Sequence, residues 1–154
     1  MRLMDVMTSP LLTAVPEETA EIARERMRLK RIHHLAVIER GELVGVVSAR
    51  DLAGARRSQT VGELMTRDVA TGTPGMKLRE AANLLRGHVI GCLPVLDRGK
   101  PVGIVTVSDV LELVGRGVER PVARSTRWTM KDRGSGRKAK RTRALAEASV
   151  PGRR

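Results

Sequence analysis

Two short segments of the chain place a hydroxyl side chain three residues ahead of an aspartate, directly after an apolar run. The pairs are Ser48 with Asp51 and Thr106 with Asp109. A carboxylate can accept hydrogen bonds from both hydroxyls of a ribose, and a hydroxyl beside free backbone N–H groups at a helix N-terminus suits a phosphate. The same residues also suit the capping of a helix N-terminus. Taken alone, these pairs leave both ligand binding and helix capping open.

Neither pair has the surroundings of a catalytic nucleophile. A serine nucleophile needs a base within reach and a third group that orients the base, and no histidine stands in such an arrangement with Ser48. The sequence also contains no P-loop, no GxGxxG motif and no paired-carboxylate motif. We therefore predict that the protein is not an enzyme and requires no cofactor.

Side chains with soft metal-ligating atoms are few in this sequence. They are His33, His34, His88 and Cys92. A structural zinc site takes four ligands, usually in closely spaced pairs, and the sequence has neither a CxxC nor an HxxxH pair. We predict no metal site. Zinc remains the alternative, because His34 and Cys92 occupy equivalent positions in the internal repeat.

That repeat has a period of 58 residues and needs no gap between residues 6 and 52. A chance match would not keep its register across the apolar pattern and the proline and glycine positions together. The sequence is therefore a duplication. The matches include 6–8 with 64–66, Thr13 with Thr71, Pro16 with Pro74, Gly41 with Gly99, 44–48 with 102–106, and Asp51 with Asp109.

Each repeat predicts the element order β-α-β-β-α. A short extended run meets a proline that suits the first turn of a helix, and apolar residues at helical spacing follow. Two strands joined by a short glycine-containing loop then form a hairpin, and a second helix begins near Ala49 and Val107. One repeat of ~55 residues buries too little surface to be stable alone, so we expect the two to pack together through their sheets. The predicted strands are 11–15, 35–38 and 43–48, then 69–73, 93–96 and 102–106.

The recurring pattern resembles the CBS domain. Its landmarks are Met-Thr, Thr-x-x-Pro, Leu-Pro-Val, a glycine turn and Val-Gly-Ile-Val-Thr-x-x-Asp, and they cover residues 3–115. The resemblance implies an α/β (α+β) fold of two tandem CBS repeats, 1–58 and 59–116, packed sheet to sheet with pseudo-two-fold symmetry. CBS pairs typically bind AMP, ATP or S-adenosylmethionine between the copies. The chain thus looks like a standalone regulatory module that senses such a ligand and signals to a partner protein.

The resemblance also implies which residues bind the ligand. In the family, the Ser/Thr and Asp of the last motif hold it, and each cleft draws on the other repeat. Gly91 lacks the polar side chain of its counterpart His33, and Ala36 stands where the family favours proline, so the two sites are expected to be unequal. The Thr106/Asp109 site should use Thr8, Thr13, Ile32 and His33, and the Ser48/Asp51 site should use Thr66, Thr71, Ile90 and Gly91, with Arg50 adding phosphate affinity.

The net charge of +12 is concentrated at the C-terminus. Residues 116–154 carry 13 of the 29 basic residues and 3 of the 17 acidic ones. With few apolar residues, the segment 117–154 is predicted to be a disordered basic tail. Residues 137–143 are dense enough in Lys and Arg to bind phosphates of a nucleic acid or a membrane surface, although a solubilising tail without a partner explains them too. A nucleic-acid-associated protein that uses the repeats as a dimerisation scaffold is the alternative function.

Compartment and assembly are predicted more indirectly. A single cysteine, Cys92, rules out an internal disulfide and fits a reducing compartment. The sequence has no secretory signal and no stretch near the ~20 apolar residues that span a bilayer. We predict a cytoplasmic protein without a membrane span. By resemblance, we also expect a homodimer with a target protein that the sequence does not identify.

Overall fold

The computed structural model describes residues 1–88 and 90–117. The predicted tail beyond Gly117, with Trp128 and the basic residues 137–143, lies outside the described residues. Repeat 1 comprises α1 (Leu3–Val6), β1 (Thr13–Ala14), α2 (Ala20–Lys30), β2 (His34–Glu39), β3 (Glu42–Ser48) and α3 (Ala49–Ala53). Repeat 2 comprises α4 (Val61–Leu64), α5 (Leu78–Gly87), β4 (Cys92–Asp97), β5 (Lys100–Thr106) and α6 (Val107–Gly115).

Both predicted hairpins are confirmed, and they are built alike. Strands β2 and β3 pair antiparallel, as do β4 and β5, and each pair has its register shift at the equivalent place. The loops are Arg40-Gly41 and Arg98-Gly99, in which all four residues have positive φ. Two successive positive φ angles produce the type I′ turn whose twist matches that of the flanking strands, and glycine accepts the second position without strain.

The predicted helices at the ends of the hairpins are also confirmed, since α3 begins at Ala49 and α6 at Val107. In α2, Ala20, Ala23 and Met27 form the buried stripe that the spacing predicted.

The start of α2 was predicted too early. Pro16 lies in a turn before the helix, and Thr19 caps the helix by accepting a hydrogen bond from the Ile22 N–H. The reason is that the carbonyls of Pro16 and Glu18 accept hydrogen bonds from the N–H groups of Gly62 and Val61 in α4. Those carbonyls therefore serve contacts between the repeats, and the segment cannot begin the helix there.

The first predicted strand of each repeat is much shorter than expected. In repeat 1, β1 has two residues, paired parallel to β2. In repeat 2, only an isolated bridge joins Gly72 to Val95. Leu11 and Val69, which open the two predicted runs, instead pack against a cluster of Val46, Cys92 and Ile104.

This cluster lies where the sheets of the two repeats meet, because Val46 belongs to β3, Cys92 to β4 and Ile104 to β5. The predicted sheet-to-sheet packing is therefore confirmed.

The short helices α1 and α4 were not predicted, and each completes the core of the other repeat. Leu3 and Met7 are buried with the core of repeat 2, whereas Val61 and Met65 are buried with that of repeat 1. The segments are anchored by symmetric pairs of backbone hydrogen bonds, Thr8 with Ile104 and Thr66 with Val46. This exchange follows the predicted pseudo-two-fold symmetry.

The exchanged segments explain why both repeats contain a glycine in the third strand. A Cβ on Gly45 would lie 2.7 Å from the Sδ of Met65, and one on Gly103 would lie 2.6 Å from the Sδ of Met7. The same Cβ atoms would lie 2.7 Å from the backbone carbonyl oxygen of Thr66 and 3.0 Å from that of Thr8, which cannot move aside as a side chain can. The glycines therefore allow the exchanged segment to approach the strand.

Candidate functional site

Ser48 and Asp51 lie at the junction of β3 and α3 and form a capping box. The Oδ2 of Asp51 accepts hydrogen bonds from the backbone N–H and the hydroxyl of Ser48, both at 2.7 Å. The Asp51 N–H donates in turn to the Ser48 hydroxyl oxygen at 3.2 Å. Within the described part of the chain, every hydrogen bond to the Asp51 carboxylate ends on Oδ2. Its Oδ1 therefore retains its capacity to accept.

Thr106 and Asp109 repeat this geometry at the junction of β5 and α6. The Oδ2 of Asp109 accepts from the N–H and the hydroxyl of Thr106 at 2.8 and 2.9 Å, and the Asp109 N–H donates to the Thr106 hydroxyl oxygen at 3.3 Å. Helix capping is thus realised in both repeats. At Asp51, capping uses one carboxylate oxygen, so it does not compete with ligand binding through the other.

A cleft of about 730 Å³ opens beside Ser48 and Asp51, between the repeats. This volume is in the range of small-molecule sites, about 300–1,000 Å³. Both repeats contribute to its wall, so a molecule bound there would contact both. The lining residues are His33, His34, Val46, Ser48, Ala49, Arg50, Asp51, Thr66, Asp68, Val69, Leu85, Arg86, Ile90, Gly91, Cys92 and Val107.

Most residues that the sequence assigned to the Ser48/Asp51 site meet in this cleft. Thr71 is the exception, because it lines a neighbouring depression of about 220 Å³. Val69 lines both spaces, so the depression adjoins the cleft. The residues brought together as predicted are Ser48, Arg50, Asp51, Thr66, Ile90 and Gly91.

His33 was assigned by matched position to the Thr106/Asp109 site, but it lines the Ser48/Asp51 cleft. The reason is that its carbonyl accepts a hydrogen bond from the Ala49 N–H at 2.8 Å, which holds His33 beside the start of α3, next to Ser48 and Asp51. The neighbouring His34 packs its ring over Gly91, so closely that a Cβ on Gly91 would lie 2.6 Å from the His34 Nε2. From the sequence, Gly91 was interpreted only as the loss of a polar contact. In the structure, this glycine makes room for the imidazole of His34.

The remaining residues assigned to the Thr106/Asp109 site occupy separate elements of repeat 1. Thr8 is held against β5 by its backbone hydrogen bonds to Ile104. Thr13 is exposed in β1, and its carbonyl accepts a hydrogen bond from Arg26 at 2.7 Å. Ile32 is partly buried against the core of repeat 1. The binding role of these three residues remains a prediction.

The sequence reasoning missed several residues of the Ser48/Asp51 cleft. Asp68 lies two positions after Thr66, and Arg86 lies in the last turn of α5. His34 could have been identified from the sequence, because it directly follows the assigned His33.

Burial lowers the pKa of His34 below its ordinary value, the neighbouring His33 lowers it further, and Asp51 opposes both. Burial raises the pKa of the Cys92 thiol to about 12, which keeps it protonated.

Within residues 1–88 and 90–117, no three His, Cys, Asp or Glu side chains come together as a metal site. None of the helices in this part of the chain is long and apolar enough to span a bilayer.

Comparison with known proteins gives a family match in both repeats. The model of the CBS domain matches residues 3–58 and 61–116. A CBS domain-containing protein of Bacillus subtilis, YhcV, is 34% identical over 112 residues, which are 69% of this chain and 80% of that protein. The chain also matches curated enzymes, but there it spans only 17–25% of their length. Their activities are therefore not carried over.

Solved structures with the same architecture contain adenosyl ligands. The CBS domain pair of protein MJ0100, in complex with 5′-methylthioadenosine and S-adenosyl-L-methionine, superposes with a TM-score of 0.72 at 29% identity. That match covers 77% of this chain and 98% of the other. CBSX2 in complex with AMP gives a TM-score of 0.66 at 30% identity, over 75% of this chain and 96% of the other.

Proposed function

The chain belongs to the CBS-domain family, and from that premise we propose that it is a regulatory module that binds an adenosyl ligand of the AMP, ATP or S-adenosylmethionine type. The ligand binds between the repeats in the Ser48/Asp51 cleft. The observation that carries the proposal is the position of Asp51 at the wall of a cleft of about 730 Å³, with its Oδ1 accepting no hydrogen bond from residues 1–88 and 90–117. The adenosyl ligands bound in the MJ0100 and CBSX2 structures support the ligand class.

The capping box prepares Asp51 for this role. Because Oδ2 is held by two donors of Ser48, the carboxylate keeps one orientation without a ligand. A ribose that donates to Oδ1 would therefore meet a preorganised acceptor. The apolar residues Val69 and Ile90 of repeat 2 also line the cleft, so the base would rest on aliphatic groups.

Regulation follows from the position of the cleft between two repeats. A ligand that touches both repeats can favour one relative pose over another, and it shifts the equilibrium only by its difference in affinity for the two poses. A partner protein would then read the change, since we propose no catalytic step for this module. Family resemblance also supports a homodimer. We further propose a second ligand site at Thr106 and Asp109, with Thr8, Thr13 and Ile32, that is not equivalent to the Ser48/Asp51 site.

Calorimetric titration of the full chain with AMP, ATP and S-adenosylmethionine tests the proposal. We expect one of them to bind saturably, and we expect Asp51→Ala to weaken it by about tenfold or more, as for the loss of a hydrogen bond to a charged group. Asp109→Ala reports on the second site.

Glu63→Ala is the matched control, because Glu63 forms the same capping box with Thr60 outside the cleft lining. It removes a cap and should leave ligand affinity unchanged. Flat titrations of folded, nucleotide-free protein would overturn the proposal, and equal losses in Asp51→Ala and Glu63→Ala would reassign Asp51 to capping alone.

A further inference from the structure

The Ser48/Asp51 cleft is lined by two arginines from different repeats. Arg50 follows Ser48 in α3, and Arg86 lies in the last turn of α5. Both side chains are exposed, and neither makes a hydrogen bond or an ion pair with any residue of the described ranges. No residue of the described ranges thus engages the guanidinium donors of these two lining arginines.

The equivalent positions of the other half of the pseudo-symmetric pair are different. Ser108 stands at the position of Arg50, and Arg28 at the position of Arg86. Arg28 is neutralised by Glu25 through two hydrogen bonds, at 2.8 Å from Nε and 2.6 Å from a terminal nitrogen. The residue of repeat 2 that corresponds to Glu25 is Asn83, which carries no charge, so Arg86 remains available.

These differences concentrate anion-binding capacity at one cleft. Guanidinium groups bind phosphate oxygens through paired, charge-assisted hydrogen bonds. Asp51 and Asp68 also line the cleft and repel an anion, so a single phosphate near one arginine gains little. A chain of phosphates is longer and carries more negative charge than a single phosphate, so it has more to gain from two arginines in one cleft, whereas a positive sulfonium gains nothing from them.

We propose that the Ser48/Asp51 cleft selects adenosyl ligands that carry a diphosphate or triphosphate chain, with Arg50 and Arg86 contacting the phosphates from the two repeats. The inference rests on the proposed function and names the ligand class of the same site. It also gives the phosphate chain a regulatory role, because the chain links repeat 1 to repeat 2.

The experiment compares the affinity of the full chain for adenosine, AMP, ADP and ATP by calorimetry at constant ionic strength. We expect the affinity to rise from adenosine to ATP by about tenfold for each arginine engaged, the size typical of a hydrogen bond between charged groups. Arg50→Ser, which copies Ser108, and Arg86→Gln should each lower ATP affinity by about tenfold, a much larger loss than either causes in adenosine affinity.

Asn83→Glu gives a test without altering the cleft lining. It reproduces in repeat 2 the Glu25–Arg28 arrangement, so Arg86 should become paired and ATP affinity should fall, whereas Asn83→Gln adds the same length without charge and should have no effect. The comparison is also insensitive to nucleotide binding by the basic tail, which both variants retain.

Equal ATP affinity in the two Asn83 variants, or adenosine binding as tight as ATP binding, would overturn this inference while leaving the adenosyl site intact. If none of the four compounds binds, the proposed function itself fails.

Discussion

Asp51 and Asp109 belong to a motif that suits both helix capping and ligand binding, and the two explanations need not exclude each other. Both carboxylates cap a helix through Oδ2, in nearly identical geometry. At Asp51, the hydrogen bonds that the carboxylate accepts in the cap all use Oδ2, and the residue also lines the cleft. The residue types and the spacing were sufficient to predict capping and to suggest ligand binding, but only the atomic positions show that the cap of Asp51 uses a single carboxylate oxygen.

His34 is the residue whose protonation we expect to affect stability most directly. Burial and the neighbouring His33 lower its pKa, and Asp51 compensates only in part. A histidine whose folded pKa lies below its unfolded value of about 6.5 contributes stability above that pH. That contribution is lost as the pH falls from about 6.5 through the folded pKa, because the unfolded chain takes up the proton first.

We therefore expect the free energy of unfolding to fall between pH 7.5 and pH 5.5, and to fall less in His34→Gln. Urea denaturation at several pH values measures this. His88→Gln is the control, because His88 is exposed at the end of α5. If the wild type and His34→Gln have parallel pH profiles, burial of His34 does not govern the acid sensitivity of the fold.

At the scale of elements, the exchange of α1 and α4 is the feature that sequence periodicity could not reveal. Each helix has four residues, too few for a periodic apolar pattern. The residues that they contact are in the other repeat. The internal repeat shows that the two segments are equivalent, but it does not show which copy each segment contacts. The glycines at 45 and 103 carried the information indirectly, because they mark where the exchanged segment approaches a strand.

The exchange predicts that the first residues of the chain stabilise the second repeat. Leu3 is fully buried in the core of repeat 2, whereas the adjacent Met4 is 49% exposed. Leu3→Ala should lower the free energy of unfolding by about 2–5 kcal/mol, the range for removal of a buried leucine side chain. Met4→Ala, in the same short helix, should change it by less than about 0.5 kcal/mol.

Denaturation curves of the two variants test this directly. Similar small losses in both would mean that α1 is not an integral part of the core. Hydrogen exchange localises the effect, since Leu3→Ala should increase exchange in β4 and β5 before β2 and β3.

At the scale of the whole molecule, the net charge is unevenly distributed along the sequence. The repeats are close to neutral, and the basic residues are concentrated after residue 115. Binding to nucleic acid, the alternative function, should therefore depend on residues 137–143 and be independent of Asp51. It should also weaken steeply with salt, because phosphate neutralisation releases counterions.

Replacement of the five basic residues in 137–143 by glutamine should abolish such binding and leave adenosyl-ligand binding unchanged. The measurements are fluorescence anisotropy with a labelled oligonucleotide and calorimetry with the nucleotide. The control replaces Arg153 and Arg154, which lie at the end of the chain. Nucleic-acid binding that survives the fivefold replacement would exclude this segment as its source.

The sequence by itself determined the duplication, the two hairpins and the helices that follow them. It also indicated the pair Ser48 and Asp51, which lines the cleft. These features are local, because the apolar period, the positive-φ turns and the capping pairs each act within a few residues. Tertiary structure alone decided which segment completes which core, how closely His34 packs over Gly91, and where Thr71 lies relative to the cleft. Those outcomes depend on side chains that meet across the pseudo-two-fold axis, between residues far apart in the chain.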